Sequence, residues 1–153
     1  MKEQKASQLL RALGQRIGIA DLQFNEDRVC RIVIDGSTVV DVEQLEDEQT
    51  FYLISTVGSR VPANADTYEL LLRANLFGRG TGGAVLSYDE DKDEVILFQA
   101  LNAQWFTEEG FASVFEKFLE YTENWIKELL ELDDEEPEMP VADAGDQHSF
   151  IRV

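Results

Sequence analysis

Apolar residues recur along this chain at two spacings, which predict helices and strands in a definite order. Positions three and four residues apart predict a first helix over residues 3–17, with an apolar stripe on one face. Alternating and β-branched runs predict strands over residues 28–34, 38–42 and 50–57. An Asp-Gly pair separates the first two strands and is typical of a hairpin turn. The stripe of the first helix consists of Ala6, Leu9, Leu10, Leu13 and Ile17.

The second half of the chain continues the alternation of helices and strands. A second helix is predicted over residues 68–77, two strands over residues 84–88 and 94–100, and a long helix over residues 107–132. The order α-β-β-β-α-β-β-α predicts an α+β fold in which helices flank a twisted, mostly antiparallel five-stranded sheet. The inner face of the long helix is predicted to consist of Phe111, Val114, Phe115, Phe118, Thr122, Trp125, Ile126 and Leu129.

The second predicted helix is apolar around most of its circumference. Such a helix must be covered on more than one side, either by a loop of the same chain or by a second subunit. The pattern favours a subunit interface, because a chain of this size has few elements with which to cover both sides. The apolar positions of this helix are Leu70, Leu71, Leu72, Ala74, Leu76 and Phe77.

Composition indicates one folded domain followed by an acidic tail. The chain has 153 residues, of which 44% are hydrophobic, enough for a single core. We place the domain at residues 1–132 and expect residues 133–153, which are rich in acids and contain two prolines, to be a disordered tail. The only cysteine, Cys30, is expected in the core, and no segment predicts a signal peptide or a membrane span. A cytoplasmic location is the simplest interpretation.

The formal net charge of −18 limits the kinds of partner. Nucleic acids and anionic membranes both attract clusters of Lys and Arg, so neither is expected as a partner. The charge favours long-range attraction of a basic protein segment, although acidity that serves solubility alone explains it at least as simply.

The glycine-dense loop after the second helix has the spacing GxGxxG in Gly78, Gly80 and Gly83. A dinucleotide site needs a strand before these glycines and a helix after them, and here the order is reversed. A P-loop needs Lys and then Ser or Thr after the last glycine, where this chain has Ala84 and Val85. The loop is therefore interpreted as a helix end, with Gly78 in the left-handed region, and a close-packed connection to the next strand.

An acidic turn between the last two strands raises the question of a metal or catalytic site. Asp89, Asp91 and Asp93 resemble the start of an EF-hand loop, but the sixth position is Glu94 instead of Gly and the twelfth is not Glu. In an exposed turn these carboxylates lack the burial that raises a pKa for acid–base catalysis. His148, the only histidine, lies in the tail. No catalytic residue, metal ligand or cofactor is predicted, and the chain is not expected to be an enzyme.

The order of elements, together with loose apolar motifs, resembles the type III secretion chaperones of the Tir-chaperone (CesT-like) family. Residues 71–84, with the sequence LLRANLFGRGTGGA, join the second helix to a strand. The last helix carries Phe115, Phe118, Leu119, Trp125 and Ile126. The resemblance covers residues 6–132. It implies a homodimeric bacterial chaperone that binds the N-terminal region of a secreted effector, keeps it soluble, and delivers it to an export ATPase.

The resemblance also implies two protein-binding surfaces. The dimer interface would lie on the second helix and the neighbouring strand, at Leu70, Leu71, Ala74, Leu76, Phe77 and Val85. The effector, in extended form and partly as an added strand, would lie in a groove formed by Leu9, Leu10, Leu13, Ile17, Val40, Val42 and Leu97. The alternative is a non-secretory protein-binding module or regulator of the same fold, similar to the YbjN-like proteins.

Overall fold

The computed structural model describes residues 4–134, and its helices and strands follow the predicted order. The helices are α1 (Lys5–Ile17), α2 (Ala65–Asn75) and α3 (Glu108–Asp134). The strands are β1 (Val29–Ile34), β2 (Thr38–Gln44), β3 (Thr50–Ser59), β4 (Val85–Asp89) and β5 (Glu94–Asn102). The long helix includes the first two residues of the predicted tail. The rest of the tail, with His148, lies outside the described residues.

The five strands form one antiparallel sheet in the order β1-β2-β3-β5-β4. This arrangement confirms the predicted α+β fold. Asp35 and Gly36, with φ of 50° and 74°, make the tight turn between β1 and β2. The type of turn that needs positive φ at both central residues suits the twist of paired strands, which explains the Asp-Gly pair. Strands β1 and β4 are the two edges of the sheet.

The main core lies between one face of the sheet and the helices α1 and α3. Phe111, Phe115 and Phe118 on α3 are buried, and the rings of Phe111 and Phe51 pack edge to face with centroids 5.3 Å apart. The inner face predicted for α3 is therefore confirmed. The predicted stripe of α1 also faces this core, with only Ile17 left half-buried at the end of the helix.

The sheet divides between β2 and β3. These strands pair only from Asp41 opposite Ile54 to Gln44 opposite Phe51. Beyond Ile54, β3 continues beside β5 alone, and its register shifts at Gly58. The hydroxyl of Ser55 donates a hydrogen bond of 2.7 Å to the carbonyl oxygen of Val39 on β2 and bridges the gap as the strands diverge. One part of β3 therefore has an open edge inside the sheet.

The glycine loop is close-packed, as its sequence predicts. A Cβ atom on Gly80 would lie 2.8 Å from Cα of Ala74, and one on Gly82 would lie 2.4 Å from the ring of Tyr121. The indole nitrogen of Trp125 on α3 donates a hydrogen bond of 2.9 Å to the carbonyl oxygen of Gly80. These contacts hold the loop against α2 and α3 and fix the path of the chain into β4.

The end of α2 differs from the prediction. The helix stops at Asn75, two residues early, and a short 3₁₀ turn follows over Leu76–Gly78. Gly78 has a φ of 66°, as expected, but Phe77 before it is also left-handed, with a φ of 53°. The backbone leaves the helix at Leu76, whose ψ is 110°, and the side chain of Asn75 beside it bonds to the backbone of β4.

Candidate protein-binding surfaces

Six of the seven predicted effector contacts are core residues. On α1 these are Leu9, Leu10 and Leu13, and on the sheet Val40, Val42 and Leu97; each exposes at most 1% of its surface. They do not line an exposed groove, so this part of the prediction is wrong. The apolar stripe of an amphipathic helix and the matching positions of the strands mark the sides that face the protein's own core. Ile17, the seventh, is half-buried.

The opposite face of the sheet carries a second set of apolar side chains. Alternate residues of a strand point to opposite faces. On β3 and β5 four of the positions that alternate with the core residues carry large apolar side chains, and these are half-buried instead of buried. We name this set the outer sheet face; it consists of Val33, Val39, Tyr52, Ile54, Val85, Ile96 and Phe98.

The outer sheet face is continuous across three strands. Ile54 on β3 lies directly opposite Phe98 on β5, and Phe98 lies opposite Val85 on β4. The rings of Tyr52 and Phe98 pack edge to face with centroids 6.1 Å apart. On β2, the residue opposite Ile54 is Asp41, so the row of apolar side chains ends there in a charged residue. The surface is thus a preformed apolar strip with a charged end.

The charged end of the strip is an ion pair between β1 and β2. Arg31 on β1 donates two hydrogen bonds of 2.8 Å to the carboxylate of Asp41. The carboxylate raises the pKa of Arg31 through these hydrogen bonds and its charge. The pair is exposed to solvent, where such pairs contribute little to stability. Its place at the end of the apolar strip is suited to fixing the orientation of a bound segment.

The two edges of the sheet differ in how their outward backbone groups are satisfied. On β4, the side-chain amide of Asn75 donates to the carbonyl oxygen of Leu86 and accepts from its N–H, at 2.9 and 2.8 Å. On β1, Asn25 satisfies both outward groups of Val29. The next outward positions of β1 are Arg31 and Val33, and no strand lies beside them within residues 4–134. The edge of β1 is therefore open at Arg31 and Val33.

A separate apolar patch lies on α2 and the turn after it. Leu72 and Phe77 expose 71% and 84% of their surface. The rings of Tyr68 on α2 and Tyr88 on β4 lie beside each other, with centroids 6.4 Å apart. We name this the helix-end patch; it consists of Tyr68, Leu72, Leu76, Phe77 and Tyr88.

The predicted dimer contacts fall into three groups in the structure. Leu76, Phe77 and Val85 are exposed, as an interface requires. Leu70 and Ala74 are half-buried and pack against the core. Leu71 exposes only 7% of its surface and is a core residue, so its assignment to the interface is wrong. The prediction omitted Tyr68, Leu72 and Tyr88, and the apolar positions four residues apart on α2 were the available signal.

Phe77 combines exposure with a strained backbone. A left-handed φ in an aromatic residue is uncommon and costs free energy. The guanidinium of Arg79 lies 5.6 Å from the centre of its ring. This contact holds the ring outward on the helix-end patch, where it meets solvent in the single chain.

Several titratable groups of the described residues make hydrogen bonds within a turn or lie in the core. In the acidic turn, Asp89 accepts hydrogen bonds from the backbone of Asp91 and Lys92. Tyr88 donates a 2.6 Å bond to Asp93, which raises the pKa of Tyr88 to about 12. Burial raises the pKa of the Cys30 thiol. No group of three or more potential metal ligands occurs within residues 4–134, and no helix there is long and apolar enough to cross a membrane.

A sequence model of the Tir chaperone protein (CesT) family matches residues 8–126. The chain belongs to this family. The Tir chaperone of Citrobacter freundii is 32% identical over 90 residues, which are 58% of this chain and 56% of that protein. The match thus spans little more than half the length of this relative. The glycine loop, β4 and β5 and most of α3 lie within the segment that the family model covers, and the tail lies beyond it.

Solved structures share the fold of this CesT-family chain at low sequence identity. The ExsC–ExsE complex matches with a TM-score of 0.69 and 22% identity, over 84% of this chain and 97% of the other. The Yersinia pestis type III secretion chaperone SycH, solved with a fragment of YscM2, matches with a TM-score of 0.62 and 23% identity, over 78% and 98%. YbjN of E. coli matches more weakly, with a TM-score of 0.52 and 16% identity, over 79% and 88%. These likenesses confirm the fold, and the family match favours the chaperone interpretation over the YbjN-like one.

Proposed function

We propose that this protein is a type III secretion chaperone that works in the bacterial cytoplasm as a homodimer. Each subunit binds an extended segment near the N-terminus of a secreted effector, keeps it export-competent and releases it at the export ATPase. Membership of the CesT family and the fold shared with the SycH and ExsC–ExsE structures support this function. The observation that carries it is the outer sheet face, an apolar surface beside an open strand edge.

An extended segment is the partner that this surface fits. A strand added at the edge of β1 would bond to the outward backbone groups of Arg31 and Val33, and its alternate side chains would lie beside Val33 on the outer sheet face. Ile54 on β3 lies three strand spacings from such a strand, about 14 Å, so the bound segment must continue across the outer sheet face to contact Ile54 and Phe98. Main-chain hydrogen bonds provide affinity for many sequences, whereas the apolar strip selects segments with apolar residues. The ion pair of Arg31 and Asp41 offers a charged contact at the start of the strip.

The helix-end patch supports the homodimer. It contains two mostly exposed large apolar side chains, Leu72 on α2 and Phe77 in the turn after it. Isolated exposed apolar residues are common on protein surfaces, whereas several on one helix and the turn after it favour an interface. A two-fold contact through this patch would leave the outer sheet face and the edge of β1 free in both subunits.

The charge of the protein favours basic effector segments. With a net charge of −18 per chain, the field attracts a basic segment and speeds its encounter with the surface. Apolar contacts on the outer sheet face then hold the segment after the charges have been screened by salt.

The test is co-expression with a secreted protein encoded beside this chain in its genome. We expect a stable complex of two chaperone chains with one effector, measured by light scattering after gel filtration. Replacing Ile54→Asp and Phe98→Asp on the outer sheet face should abolish the complex, because charged side chains there would oppose the apolar contacts.

A matched control is Trp105→Asp, because Trp105 is 80% exposed but lies outside both surfaces. This variant should bind as the wild type does. Circular dichroism must show that all variants are folded. Undiminished binding by a folded double variant of the outer sheet face would contradict the proposed site, and failure to bind any neighbouring secreted protein would contradict the proposed function.

A further inference from the structure

Strand β2 carries a carboxylate on the same side as the outer sheet face that is not paired with a cation. Glu43 alternates with the buried residues of β2, so its side chain points away from the core, and it is half-buried. Within the described part of the chain no Lys or Arg forms an ion pair with it. Asp41, the other carboxylate of β2 on this side, is already bound by Arg31. Glu43 is therefore the carboxylate of β2 that is left for a partner.

Two apolar side chains lie beside Glu43 in register. Tyr52 on β3 is directly opposite Glu43 on one side, and Val29 on β1 is directly opposite on the other. Residues that face each other across antiparallel strands have Cβ atoms about 4.5–5.5 Å apart, so Glu43 and Tyr52 are within contact range. Both neighbours are half-buried. We name this the Glu43 site; it consists of Val29, Glu43 and Tyr52.

A carboxylate beside an aromatic ring suits a basic side chain, and arginine above all. A guanidinium group binds a carboxylate through two parallel hydrogen bonds and is attracted to the face of an aromatic ring. Its aliphatic stem packs on apolar surface such as that of Val29. Lysine supplies the charge without the planar contact, whereas an acidic residue would be repelled by Glu43. The site therefore distinguishes arginine from both.

The Glu43 site lies one row away from the apolar strip. Glu43 and Asp41 are two residues apart on β2, which is about 7 Å along the strand. Asp41 is opposite Ile54, and Ile54 is opposite Phe98. Side chains on one side of an extended segment also recur about every 7 Å. A segment with an apolar side chain on Ile54 or Phe98 therefore brings a residue about two to four positions away to Glu43.

We propose that the Glu43 site selects an arginine in the effector segment, about two to four residues from the apolar side chain that contacts Ile54 or Phe98. The guanidinium pairs with Glu43 beside the ring of Tyr52. The apolar strip alone would let a segment shift along it, whereas a charge pair at one point fixes the register. This inference rests on the proposed function and adds the residue that recognises the charge of the segment.

Binding of peptides to the full chain tests the Glu43 site. The probes are overlapping peptides that cover the secreted protein encoded beside this chain, with binding measured by fluorescence polarisation. The wild type should bind a peptide with an arginine at this spacing, and Glu43→Gln should bind it at least about tenfold more weakly, because a hydrogen bond between charged groups is lost. Replacing that arginine by glutamine should weaken binding to the wild type by a similar factor and should weaken binding to Glu43→Gln little further.

Glu46→Gln is the matched control, because Glu46 is an exposed carboxylate in the turn after β2 and its loss changes the net charge by the same amount. This variant should bind the arginine peptide as the wild type does. The charge-reversed variant Glu43→Arg should instead prefer the peptide in which glutamate replaces the arginine.

The outcomes separate this inference from the proposed function. Undiminished binding by a folded Glu43→Gln, or equal losses in Glu43→Gln and Glu46→Gln, would overturn the Glu43 site. Either result would leave the proposed function in place, because that function is tested at Ile54 and Phe98. A wild type that binds none of the peptides and no complete secreted protein would overturn both.

Discussion

Single glycines in the loop after α2 are required by two different physical constraints. Gly80 is needed for space, because the backbone of Ala74 lies where a Cβ would be. Gly83 is needed for its backbone, since its φ is 92° and a Cβ would meet open space. Gly82 is subject to both constraints, with a φ of 62° and the ring of Tyr121 in the way.

Replacing Gly82→Ala should therefore destabilise the fold more than Gly83→Ala. Gly83→Ala introduces backbone strain alone, which costs about 1 kcal/mol. Gly82→Ala adds a clash at 2.4 Å with Tyr121 to a similar backbone strain. We expect it to lower the free energy of unfolding by a further ~1–3 kcal/mol, measured by urea denaturation. Equal losses in the two variants would show that the loop moves away from Tyr121 at no cost.

Asp47 organises the turn between β2 and β3 through three hydrogen bonds. Its carboxylate accepts from the backbone N–H groups of Gln49 and Thr50, at 2.9 and 2.7 Å, and from the hydroxyl of Thr50 at 2.7 Å. These hydrogen bonds, that from the Thr50 hydroxyl above all, lower the pKa of Asp47 from its usual value of 3.8. A lowered pKa in the folded state stabilises the protein above the unfolded pKa, and this stabilisation is lost as the pH falls through the folded pKa.

The variant Asp47→Ala should therefore melt at a lower temperature than the wild type at pH 7. The difference in Tm should shrink as the pH falls below 3.8, because the wild type loses the charged acceptor there. Thermal melts followed by circular dichroism between pH 7 and pH 2.5 measure this. Glu46→Ala, which removes a neighbouring carboxylate outside these three hydrogen bonds, is the control. A difference that persists undiminished at low pH would contradict the electrostatic account.

At the scale of elements, two asparagines close parts of the sheet edges by different means. Asn75 uses both ends of its side-chain amide to pair with Leu86 on β4. Asn25 pairs with Val29 on β1 through its side-chain oxygen and its own backbone N–H. Replacement by aspartate therefore removes the donor of one of these hydrogen bonds at position 75 and leaves both of them intact at position 25.

Asn75→Asp should destabilise the protein and open the edge of β4. The carboxylate would face the carbonyl oxygen of Leu86 without a donor between them, which costs about 1–3 kcal/mol for the unsatisfied groups. Urea denaturation gives the free energy, and the exchange rate of the Leu86 amide reports the edge. Asn25→Asp keeps both hydrogen bonds and should be close to neutral. A similar loss of stability in both variants would point to added negative charge as the cause.

The pattern of apolar residues predicted the elements and the core but not the surfaces. The periodicity of α1 and α3 identifies the side that faces the core, and on both helices this side is the one that the structure buries. The same periodicity says nothing about which apolar side chains remain for a partner, so Leu9 and Val40 were assigned to a groove although both are core.

A usable signal for the outer sheet face was present in the central strands. The sequence TFYLISTVGS of β3 is apolar at core positions and at Tyr52 and Ile54 between them, which is typical of a strand covered on both faces. Within residues 4–134 the second cover is missing, and a partner supplies it in the proposed function. The gap between β2 and β3 had no such signal, because it depends on where the pairing of the two strands ends, at Asp41 opposite Ile54.

At the scale of the whole molecule, the two proposed binding surfaces lie on different sides, so a partner could bind both at the same time. The outer sheet face and the edge of β1 lie opposite the helices, whereas the helix-end patch lies beside β4 at the far edge of the sheet. A dimer that forms through the helix-end patch would place two open sheet faces in one assembly. A single effector segment that contacts both faces would then gain affinity from the link between its two halves.

The variants Leu72→Glu and Phe77→Glu should therefore weaken the dimer and leave the subunit folded. Both side chains are mostly exposed in the single chain, so their loss leaves the core intact. Burial of a leucine or phenylalanine side chain contributes about 1.5–3 kcal/mol, and a two-fold interface contains each side chain twice, so each change should raise the dimer Kd by about 100-fold or more. Sedimentation equilibrium across a range of protein concentrations measures the Kd. Trp105→Glu adds the same charge at an equally exposed aromatic residue away from α2 and should leave the Kd unchanged. A dimer that tolerates both helix-end changes would have to form through another surface. The outer sheet face would then be the first to examine, because a second subunit bound there would block the proposed effector site.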